Sequence, residues 1–325
     1  MATCAAVGRA LLIGGAGFIG AHLAHELLAR GEEVVVLDGE RTFLPGGEPA
    51  AARARAWRRR ALLGGAELRR GGPDDVAALR RELARAAPDA VVHLAQLPLA
   101  GVAVRDATAA RRSIVGGTVN VVRAMAAAAP RARLVFVSSS MVYGDFARDP
   151  QPESGPLRPR EPYGIAKAEA ERRVRASRLD WTVVRPSAVY GPGDANGRFA
   201  QRLVEAATLG RPFELTADGA ARLDFTWVGD LARGLADATV SAAAARRTFN
   251  LTAGRARSLD EAIAIVRAGG HDVEVRSRPA ARFHPRRGTL AIAAARAALG
   301  YEPRVQLEDG LAAYLEAVSD GALAA

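Results

Sequence analysis

The chain has 325 residues, of which 49% are hydrophobic and 25% are charged, and its formal net charge is +10. This ordinary globular mixture can bury a substantial core, and no apolar run reaches the roughly 18 residues that a membrane span needs. The single cysteine, Cys4, excludes an internal disulfide framework and a cysteine zinc site, which fits a reducing cytoplasm. We therefore expect a cytoplasmic globular protein without a membrane segment.

Nearly all of the positive charge is arginine, and Lys167 is the only lysine among the 45 basic residues. The densest basic run surrounds Trp57 and contains Arg53, Arg55, Arg58, Arg59 and Arg60. Elsewhere the arginines are spread along helical segments and lie near Asp and Glu. We interpret the run as a solvated helix face and expect no nucleic-acid partner; an anion-binding or nucleic-acid patch is the alternative.

Short apolar segments alternate with longer amphipathic segments in the first part of the chain. The pattern predicts strands at residues 10–13, 33–37, 90–94, 133–137 and 181–185. It predicts helices at residues 18–30, 75–87, 109–129 and 163–179. This alternation is typical of a doubly wound parallel sheet, so we predict a Rossmann-type domain over residues 1–186. After Pro186 the pattern loosens, which predicts a smaller α+β substrate domain over residues 187–325, with the chain crossing between the two.

The first predicted strand and the first predicted helix are joined by a glycine-rich turn. Its glycines, Gly14, Gly17 and Gly20, let the chain turn tightly, let a pyrophosphate approach the backbone, and let the helix pack against the strand. The helix begins near Phe18 and Ile19 and offers free N–H groups and a partial positive charge to phosphates. The turn therefore predicts a dinucleotide cofactor; a turn that serves only packing is the alternative.

Asp38 ends the second predicted strand, close to the ~20-residue distance from the turn that dinucleotide-binding domains show. A carboxylate at this position accepts hydrogen bonds from ribose hydroxyls and repels a 2′-phosphate. The residue therefore favours NAD over NADP. Arg41 lies close enough in the sequence to leave NADP as the alternative.

Tyr163 and Lys167 share one face at the start of the fourth predicted helix, because they are four residues apart. A tyrosine hydroxyl with its usual pKa of about 10 is a weak base at neutral pH. An ammonium group one turn away, or the positive nicotinamide ring of NAD⁺, stabilises the phenolate. The tyrosine can then take a proton from an alcohol while hydride leaves the alcohol carbon. An exposed helix pair is the alternative.

Three serines, at residues 138–140, directly follow the fourth predicted strand. Open α/β sheets bind ligands at the carboxyl ends of their strands, so these hydroxyls are expected to face the cofactor. One of them could bond the substrate oxygen and fix it near Tyr163. The alternative is that the serines only cap the strand.

Together these motifs resemble the extended short-chain dehydrogenase/reductases, the group that contains nucleotide-sugar epimerases and dehydratases. The resemblance implies an NAD enzyme in which Tyr163 transfers the proton, Lys167 binds the nicotinamide ribose and Ser139 is the catalytic hydroxyl. It runs nearly from end to end of the chain and is carried by residues 14–20, 38, 88–95, 117–120, 138–144, 162–167, 185–193, 224–230 and 299–303.

The same resemblance implies further contacts. Leu94, Ala95 and Pro186 are expected to contact the cofactor. The helices at residues 109–129 and 163–179 are expected to form the interface of a homodimer. No cluster of His, Asp and Glu has the spacing of metal ligands, so no metal site is predicted.

The serine motif is more similar to that of sugar 4-epimerases, including those that act on uronic acids, than to that of 4,6-dehydratases. Dehydratases usually carry an Asp-Glu pair after the catalytic serine, where this chain has Ser140 and Met141. The resemblance implies that NAD oxidises the C4 hydroxyl of a nucleotide sugar, that the 4-keto intermediate rotates, and that hydride returns to its other face. Two alternatives stay open: an NAD(P)-dependent reductase or dehydrogenase of a ketosugar or other carbonyl compound, and a cofactor-binding sensor without catalysis.

Several substrate contacts that the family usually makes are absent. Ile114 and Ala188 stand where the family has Asn, and Leu223 stands where it often has an Arg that grips the diphosphate. A buried diphosphate needs cationic or N–H partners, so other residues must supply them. The predicted substrate contacts are Ser140, Ser187, Arg198 and Arg222, and Arg211, Arg286 and Arg287 are further cationic candidates.

Overall fold

A seven-stranded sheet is the centre of the computed structural model, which describes residues 8–42, 48–278 and 285–319; Cys4 lies outside these ranges. The strands in chain order are β1 (Arg9–Ile13), β2 (Glu33–Asp38), β3 (Glu67–Arg70), β4 (Ala90–His93), β5 (Arg133–Val137), β6 (Trp181–Arg185), β7 (Val189–Tyr190), β8 (Phe213–Leu215), β9 (Arg222–Asp224), β10 (Thr226–Trp227), β11 (Arg247–Asn250), β12 (Ala256–Ser258) and β13 (Val275–Ser277).

The helices are shorter than a membrane span requires. None within the described ranges is both long and apolar enough to cross a bilayer. They are α1 (Phe18–Ala29), α2 (Glu48–Leu62), α3 (Val76–Ala86), α4 (Ala100–Arg105), α5 (Ala107–Arg111), α6 (Gly117–Ala128), α7 (Pro162–Arg175), α8 (Phe199–Thr208), α9 (Val228–Val240), α10 (Leu259–Ala268), α11 (Ala293–Leu299) and α12 (Leu307–Ser319), with a π-helical turn at Arg112–Gly116 and 3₁₀ turns at Ser140–Tyr143 and Ala242–Ala244.

The large sheet is parallel throughout and is covered on both faces. Its strand order is β11-β6-β5-β4-β1-β2-β3. Alternate residues of a strand point to opposite faces, so Ala10 and Leu12 enter one hydrophobic core while Leu11 and Ile13 enter the other. Helices α1 and α9 cover the first face, and α3, α6 and α7 cover the second. The predicted Rossmann-type doubly wound fold is confirmed.

The register of the sheet brings the carboxyl ends of three strands together. Ile13 at the end of β1 lies opposite Leu37 of β2 and opposite His93 of β4. The glycine turn after β1, Asp38 at the end of β2 and Leu94 after β4 therefore meet at one edge of the sheet. This edge is where doubly wound sheets bind their ligands.

The chain returns to the large sheet after leaving it at Pro186. Strand β11 pairs in parallel with β6, and Phe249 lies opposite Val184. Helix α9 packs against α1 on the same face of the sheet. The division into a domain of residues 1–186 and a domain of residues 187–325 therefore stays a proposal. In it, α9 and β11 belong to the second segment of the chain but pack with the first domain.

A separate hydrophobic core holds the remaining elements of the second part. It joins α8, α10 and α12 to the short strand pairs β8–β13 and β9–β12. Phe213 and Val266 are among its most buried members. This core fixes the position of α8 and β9, which carry side chains to the cavity described below.

Some local predictions are wrong in detail. The single helix predicted at residues 109–129 is divided by the π-helical turn at Arg112–Gly116 into α5 and α6. Strand β3 was not predicted, because it is a mostly exposed edge strand with three charged residues among its four, so it lacks an apolar signal. Helix α2 was predicted only as the solvated helix face around Trp57 and without bounds, because its many arginines weaken the apolar periodicity.

Replacing a buried residue that follows β11 tests the importance of the chain return. Leu251 is fully buried in the core that joins α1 and α9. We expect Leu251→Ala to lower the free energy of unfolding by about 2–5 kcal/mol, because it removes buried methyl groups and leaves a cavity. Urea denaturation followed by circular dichroism measures this. The matched control is Leu209→Ala, because Leu209 is 58% exposed; a change of more than about 0.5 kcal/mol there would contradict the account.

Candidate active site

The glycine turn packs so tightly that side chains are excluded from it. Gly14 has a φ of +84°, and a Cβ atom there would lie 2.6 Å from the backbone nitrogen of Ala95. A Cβ atom at Gly20 would lie 2.7 Å from the carbonyl oxygen of Gly14. Helix α1 follows directly, and its N-cap, Gly17, offers no side-chain oxygen to the first N–H groups of the helix. These N–H groups are thus free to bind an anion.

One cavity of about 1070 Å³ joins this turn to the predicted catalytic residues. Its volume and its position at the carboxyl ends of the strands suit a dinucleotide together with a substrate. The cavity is lined by every residue predicted to bind the cofactor and by the predicted catalytic serine: Gly14, Gly17, Phe18, Ile19, Gly20, Asp38, Leu94, Ala95, Tyr163, Lys167, Pro186 and Ser139. The residues present therefore fit NAD.

Asp38 supports the turn as well as facing the cavity. One carboxylate oxygen accepts a hydrogen bond from the backbone N–H of Ala16 at 3.0 Å, and the other accepts from that of Glu40 at 2.6 Å. Arg41 also lines the cavity, but its guanidinium forms an ion pair with Asp74 at 2.6 Å. Arg41, whose charge left NADP binding as the alternative, is thus paired with the carboxylate of Asp74.

Tyr163, the predicted catalytic tyrosine, lies in the first turn of a capped helix. Glu161 is the N-cap of α7, and its carboxylate accepts hydrogen bonds from the backbone N–H groups of Tyr163, at 2.8 Å, and Gly164. This cap fixes the first turn of the helix. Lys167 follows one turn later, and its Nζ lies 5.5 Å from the centre of the Tyr163 ring. Both side chains are buried against the cavity.

Burial controls the protonation of both catalytic groups. Burial raises the pKa of Tyr163 to about 12, while the positive charge of Arg198 and a hydrogen bond with Ser139 oppose the rise. Arg198 is therefore a cation, in addition to the predicted Lys167, whose charge favours the phenolate of Tyr163. Burial also lowers the pKa of Lys167 to about 7, and the negative charge of Glu171 opposes this fall.

A loop from the second part of the chain lies on the glycine turn. Arg58 donates hydrogen bonds to the carbonyl oxygens of Ala16, at 2.9 Å, and Gly193, at 2.6 Å. A ring nitrogen of His22 lies 3.0 Å from the carbonyl oxygen of Pro192. The interpretation of the whole arginine run as a solvated face is therefore wrong for Arg58, which is buried and clamps this loop.

The same loop ends at Arg198, which enters the cavity. Its guanidinium bonds the buried carboxylate of Asp194 at 2.7 Å and lies 5.8 Å from the centre of the Phe18 ring. Its charge influences both Tyr163 and Lys167. Arg198 therefore lies between the cofactor turn and the catalytic pair.

The other three predicted substrate contacts, Ser140, Ser187 and Arg222, do not line the cavity, and their contact with a substrate stays a prediction. Ser140 is buried at the start of a 3₁₀ turn and Ser187 is buried behind the wall. Arg222 is drawn away by Asp149, at 3.2 Å, and by the carbonyl oxygen of Ala256, at 3.1 Å. These two contacts hold the side chain of Arg222 away from the cavity.

Comparison with known protein families agrees with this geometry. Residues 10–252 match the model of the NAD dependent epimerase/dehydratase family. The chain belongs to this family. The NAD dependence of this family confirms the cofactor that was predicted from the glycine turn and Asp38.

Individual relatives in this family include sugar-nucleotide enzymes. The chain is 30% identical over 316 residues to the UDP-glucose 4-epimerase of Mycolicibacterium smegmatis, which covers 95% of this chain and 97% of that protein. It is 34% identical over 168 residues to the UDP-glucose 4-epimerase of Streptomyces lividans, which covers 51% of this chain but only 46% of that protein. The chain is also similar to the structure of MoeE5 in complex with UDP-glucuronic acid and NAD, with 30% sequence identity and a TM-score of 0.83. The superposition covers 97% of this chain and 100% of that chain.

Part of the cavity wall is apolar. Ala188 and Leu223 line it, at two of the positions where the family usually has a polar or cationic residue. Phe199 and Phe225 extend the same surface. The third such position, Ile114, is buried away from the cavity. The changes at the first two positions therefore affect what the cavity can bind.

Two charged residues of the wall were not singled out from the sequence as a pair. Glu161, the cap of α7, and Arg287 both line the cavity and face each other closely enough for their charges to shift each other's pKa. An acidic residue directly before Pro162 was a usable signal for a helix cap. Arg287 carried no such signal, because only the fold brings it to α7.

The described residues hold no candidate metal centre. No group of three or more His, Cys, Asp or Glu side chains within these ranges could bind a metal ion. His93 is fully buried at the end of β4, where Nε2 lies 3.3 Å from the hydroxyl oxygen of Thr118. Burial lowers the pKa of His93 to about 3, so the ring is neutral and structural.

A pair of alanine variants tests the turn. Gly14→Ala places a Cβ atom 2.6 Å from Ala95, so we expect the affinity for NAD to fall at least tenfold (about 1.4 kcal/mol). The control is Gly31→Ala, because Gly31 has a φ of +83° but nothing within 4 Å of the added Cβ. It shares the backbone strain, about 1–2 kcal/mol, without the steric clash. Calorimetric NAD titration separates the two; equal affinities would contradict the role of the turn.

Proposed function

We propose that this protein is an NAD-dependent nucleotide-sugar epimerase that inverts C4 through a transient 4-keto intermediate. The observation that supports this most directly is the convergence of Ser139, Tyr163 and Lys167 on the cavity that contains the glycine turn. The names of the relatives support the same substrate class: UDP-glucose 4-epimerases, and a structure that contains UDP-glucuronic acid and NAD.

In this proposal each residue has a separate task. Tyr163 takes the proton of the C4 hydroxyl and later returns it to the ketone oxygen. Ser139 bonds that oxygen and the phenol. Lys167 binds the nicotinamide ribose, and its ammonium stabilises the phenolate. When bound, NAD supplies the acceptor and donor of hydride, and its positive ring also favours the phenolate.

The residues next to the catalytic serine favour epimerisation over dehydration. A 4,6-dehydratase needs additional acid and base groups beside the sugar, but Ser139 is followed here by Ser140 and Met141. The nearby carboxylate of Glu161 is committed to two backbone N–H groups at the start of α7. It is therefore poorly placed to abstract a proton from the substrate.

Two cations of the wall are suited to the anionic part of the substrate. Arg198 and Arg287 line the cavity and can supply the charge-assisted hydrogen bonds that a diphosphate needs. They would replace the Arg that the family often has at the position of Leu223. Each already faces a carboxylate, Asp194 and Glu161 respectively, so the diphosphate would have to compete for them.

Removing one phenol oxygen tests the proposal. We expect Tyr163→Phe to lower the turnover of UDP-glucose or UDP-glucuronic acid about 10²–10⁴-fold while NAD remains bound, because proton transfer is lost. Chromatography of the sugar products measures turnover. The matched control is Tyr190→Phe, because the hydroxyl of Tyr190 is buried without a hydrogen-bond partner and lies off the cavity wall. Unchanged turnover in Tyr163→Phe would contradict the proton-transfer role of Tyr163, whereas no turnover by the natural protein would favour a sensor.

A net oxidoreductase is the second candidate, favoured by the apolar residues Ala188 and Leu223 on the wall. Such a wall suits a less polar carbonyl compound than a nucleotide diphosphate sugar. The two reactions differ in their use of the cofactor. An epimerase recycles hydride, so the absorbance at 340 nm does not change over a full reaction, whereas a reductase consumes its nicotinamide in proportion to product.

We also propose that the protein is a cytoplasmic homodimer. Helices α6 and α7, which lie in the two segments predicted for the interface, are in contact, and α4 also contacts α7. Helix α7 exposes Ile165 (48%), and α4 exposes Val104 (49%), which also lines the cavity. Ile165 lies on α7 but not on the cavity wall, so a partner could cover it without closing the site. Exposed large apolar side chains on neighbouring helices suit an interface between copies.

A charged residue at this surface tests the dimer. Light scattering after size exclusion should give twice the chain mass of 34.0 kDa for the natural protein and the single mass for Ile165→Glu, because a buried unpaired charge is costly. Leu209→Glu is the control, because Leu209 is 58% exposed on α8's end, away from this surface. A natural protein of single mass would rule out the dimer.

A further inference from the structure

A buried ion pair lies directly behind the catalytic lysine, and the proposed mechanism does not use it. Glu171 lies one helical turn after Lys167 on α7, and Arg185 ends β6; both are buried. Arg185 donates from Nε to one carboxylate oxygen of Glu171 at 2.9 Å and from Nη2 to the other at 2.7 Å. This two-point geometry keeps both groups charged inside the protein.

Consecutive residues at the end of β5 hold the lysine and the glutamate. Among the described residues, the ammonium of Lys167 finds one hydrogen-bond acceptor, the carbonyl oxygen of Val137 at 2.9 Å. The hydroxyl of Ser138 donates to Oε1 of Glu171 at 2.6 Å. One strand end therefore fixes both charges, and it leaves the ammonium with donor capacity for a ligand in the cavity.

Further hydrogen bonds fix the guanidinium of Arg185, and the ion pair with Arg185 in turn fixes the carboxylate of Glu171. Nη1 of Arg185 donates to the hydroxyl of Tyr143 at 2.8 Å and to the carbonyl oxygen of Glu153 at 3.0 Å. The Tyr143 hydroxyl donates in turn to Asn250 at 2.8 Å. The position of the Glu171 carboxylate is thus set by a rigid network that reaches β11.

Several charged or titratable groups act on the two residues from neighbouring elements. Burial lowers the pKa of Glu171's neighbour Lys167 to about 7, the charge of Glu171 raises it, and the charge of Arg198 lowers it. Burial raises the pKa of Glu171 itself, but its hydrogen bonds outweigh this and bring it below its usual value. The groups that face the pair are Tyr163 and Arg175 on α7, His93 on β4, Arg185 on β6, Ser138 after β5 and Arg198 before α8.

We propose that Glu171 is a positioning residue of the catalytic centre: its carboxylate, locked to Arg185, keeps Lys167 in the ammonium form beside the cofactor. The inference rests on the proposed role of Lys167. A neutral amine could not stabilise the phenolate of Tyr163. Activity should therefore be lost as the pH rises through the pKa of Lys167, and loss of the Glu171 charge should move this limit to lower pH.

The single lysine of the chain allows this to be measured directly. Protein grown with [ε-¹³C]lysine carries one labelled side chain, so its carbon signal reports the protonation of Lys167 without background. We expect the titration midpoint to fall by about one pH unit or more in Glu171→Gln, which is a tenfold or greater loss of proton affinity. Glu171→Asp, which keeps the charge, should restore most of the midpoint.

The control has the same chemical change on the same helix. Glu169 lies nearer to Lys167 in the sequence, but its carboxylate pairs with the exposed Arg111 at 2.9 Å. Glu169→Gln should leave the midpoint where it is in the natural protein. If Glu171→Gln fails to fold because Arg185 is left unpaired, the double variant Glu171→Gln with Arg185→Met removes both buried charges and is titrated instead.

The titration does not depend on any substrate, so its outcome is separate from the outcome of the proposed function. A midpoint in Glu171→Gln, or in the double variant, equal to that of the natural protein would overturn the inference even if the enzyme is an epimerase. A lowered midpoint supports it even if the substrate is another carbonyl compound. Where turnover can be measured, its alkaline limit should move with the midpoint of the carbon signal.

Discussion

The close contact between the glycine turn and the end of β4 is the constraint on which the site depends. Gly14 approaches Ala95 so closely that a single methyl group would separate them. This contact brings the start of α1, with its free N–H groups, against the same cavity that β5 and α7 line. Without it, the anion site and the catalytic tyrosine would not share one space. The surrounding parallel sheet serves to hold these strand ends in register.

The two predicted catalytic side chains, Tyr163 and Lys167, are buried beside this cavity. Burial favours the neutral forms of Tyr163 and Lys167, which raises one pKa and lowers the other. The proposed chemistry at neutral pH needs the opposite charges, an ammonium and a phenolate. Glu171 favours the ammonium of Lys167, and Arg198 favours the phenolate of Tyr163 while it disfavours the ammonium. The buried pair of Glu171 and Arg185 is most simply understood in this context.

The cavity is built by both parts of the chain. The loop before α8 is clamped onto the glycine turn by Arg58 and carries Arg198 into the site. The cofactor half keeps the groups that are expected of an NAD enzyme. Elsewhere on the wall, Ala188 and Leu223 are apolar while Arg287 adds a cation from a distant segment. In the proposed function these residues are the ones that would influence the choice of substrate.

Local patterns of backbone geometry and periodicity were enough to predict the alternating elements, the turn of Gly14 to Gly20, Asp38, and the spacing of Tyr163 and Lys167. No such pattern distinguishes the arginines that reach the cavity from those that do not. Arg58 and Arg198 are buried or drawn into the cavity, while Arg222 is held outside it by Asp149. The charge of an arginine is the same everywhere in a sequence. Its effect depends on partners that are distant in the chain, and folding alone brings them together.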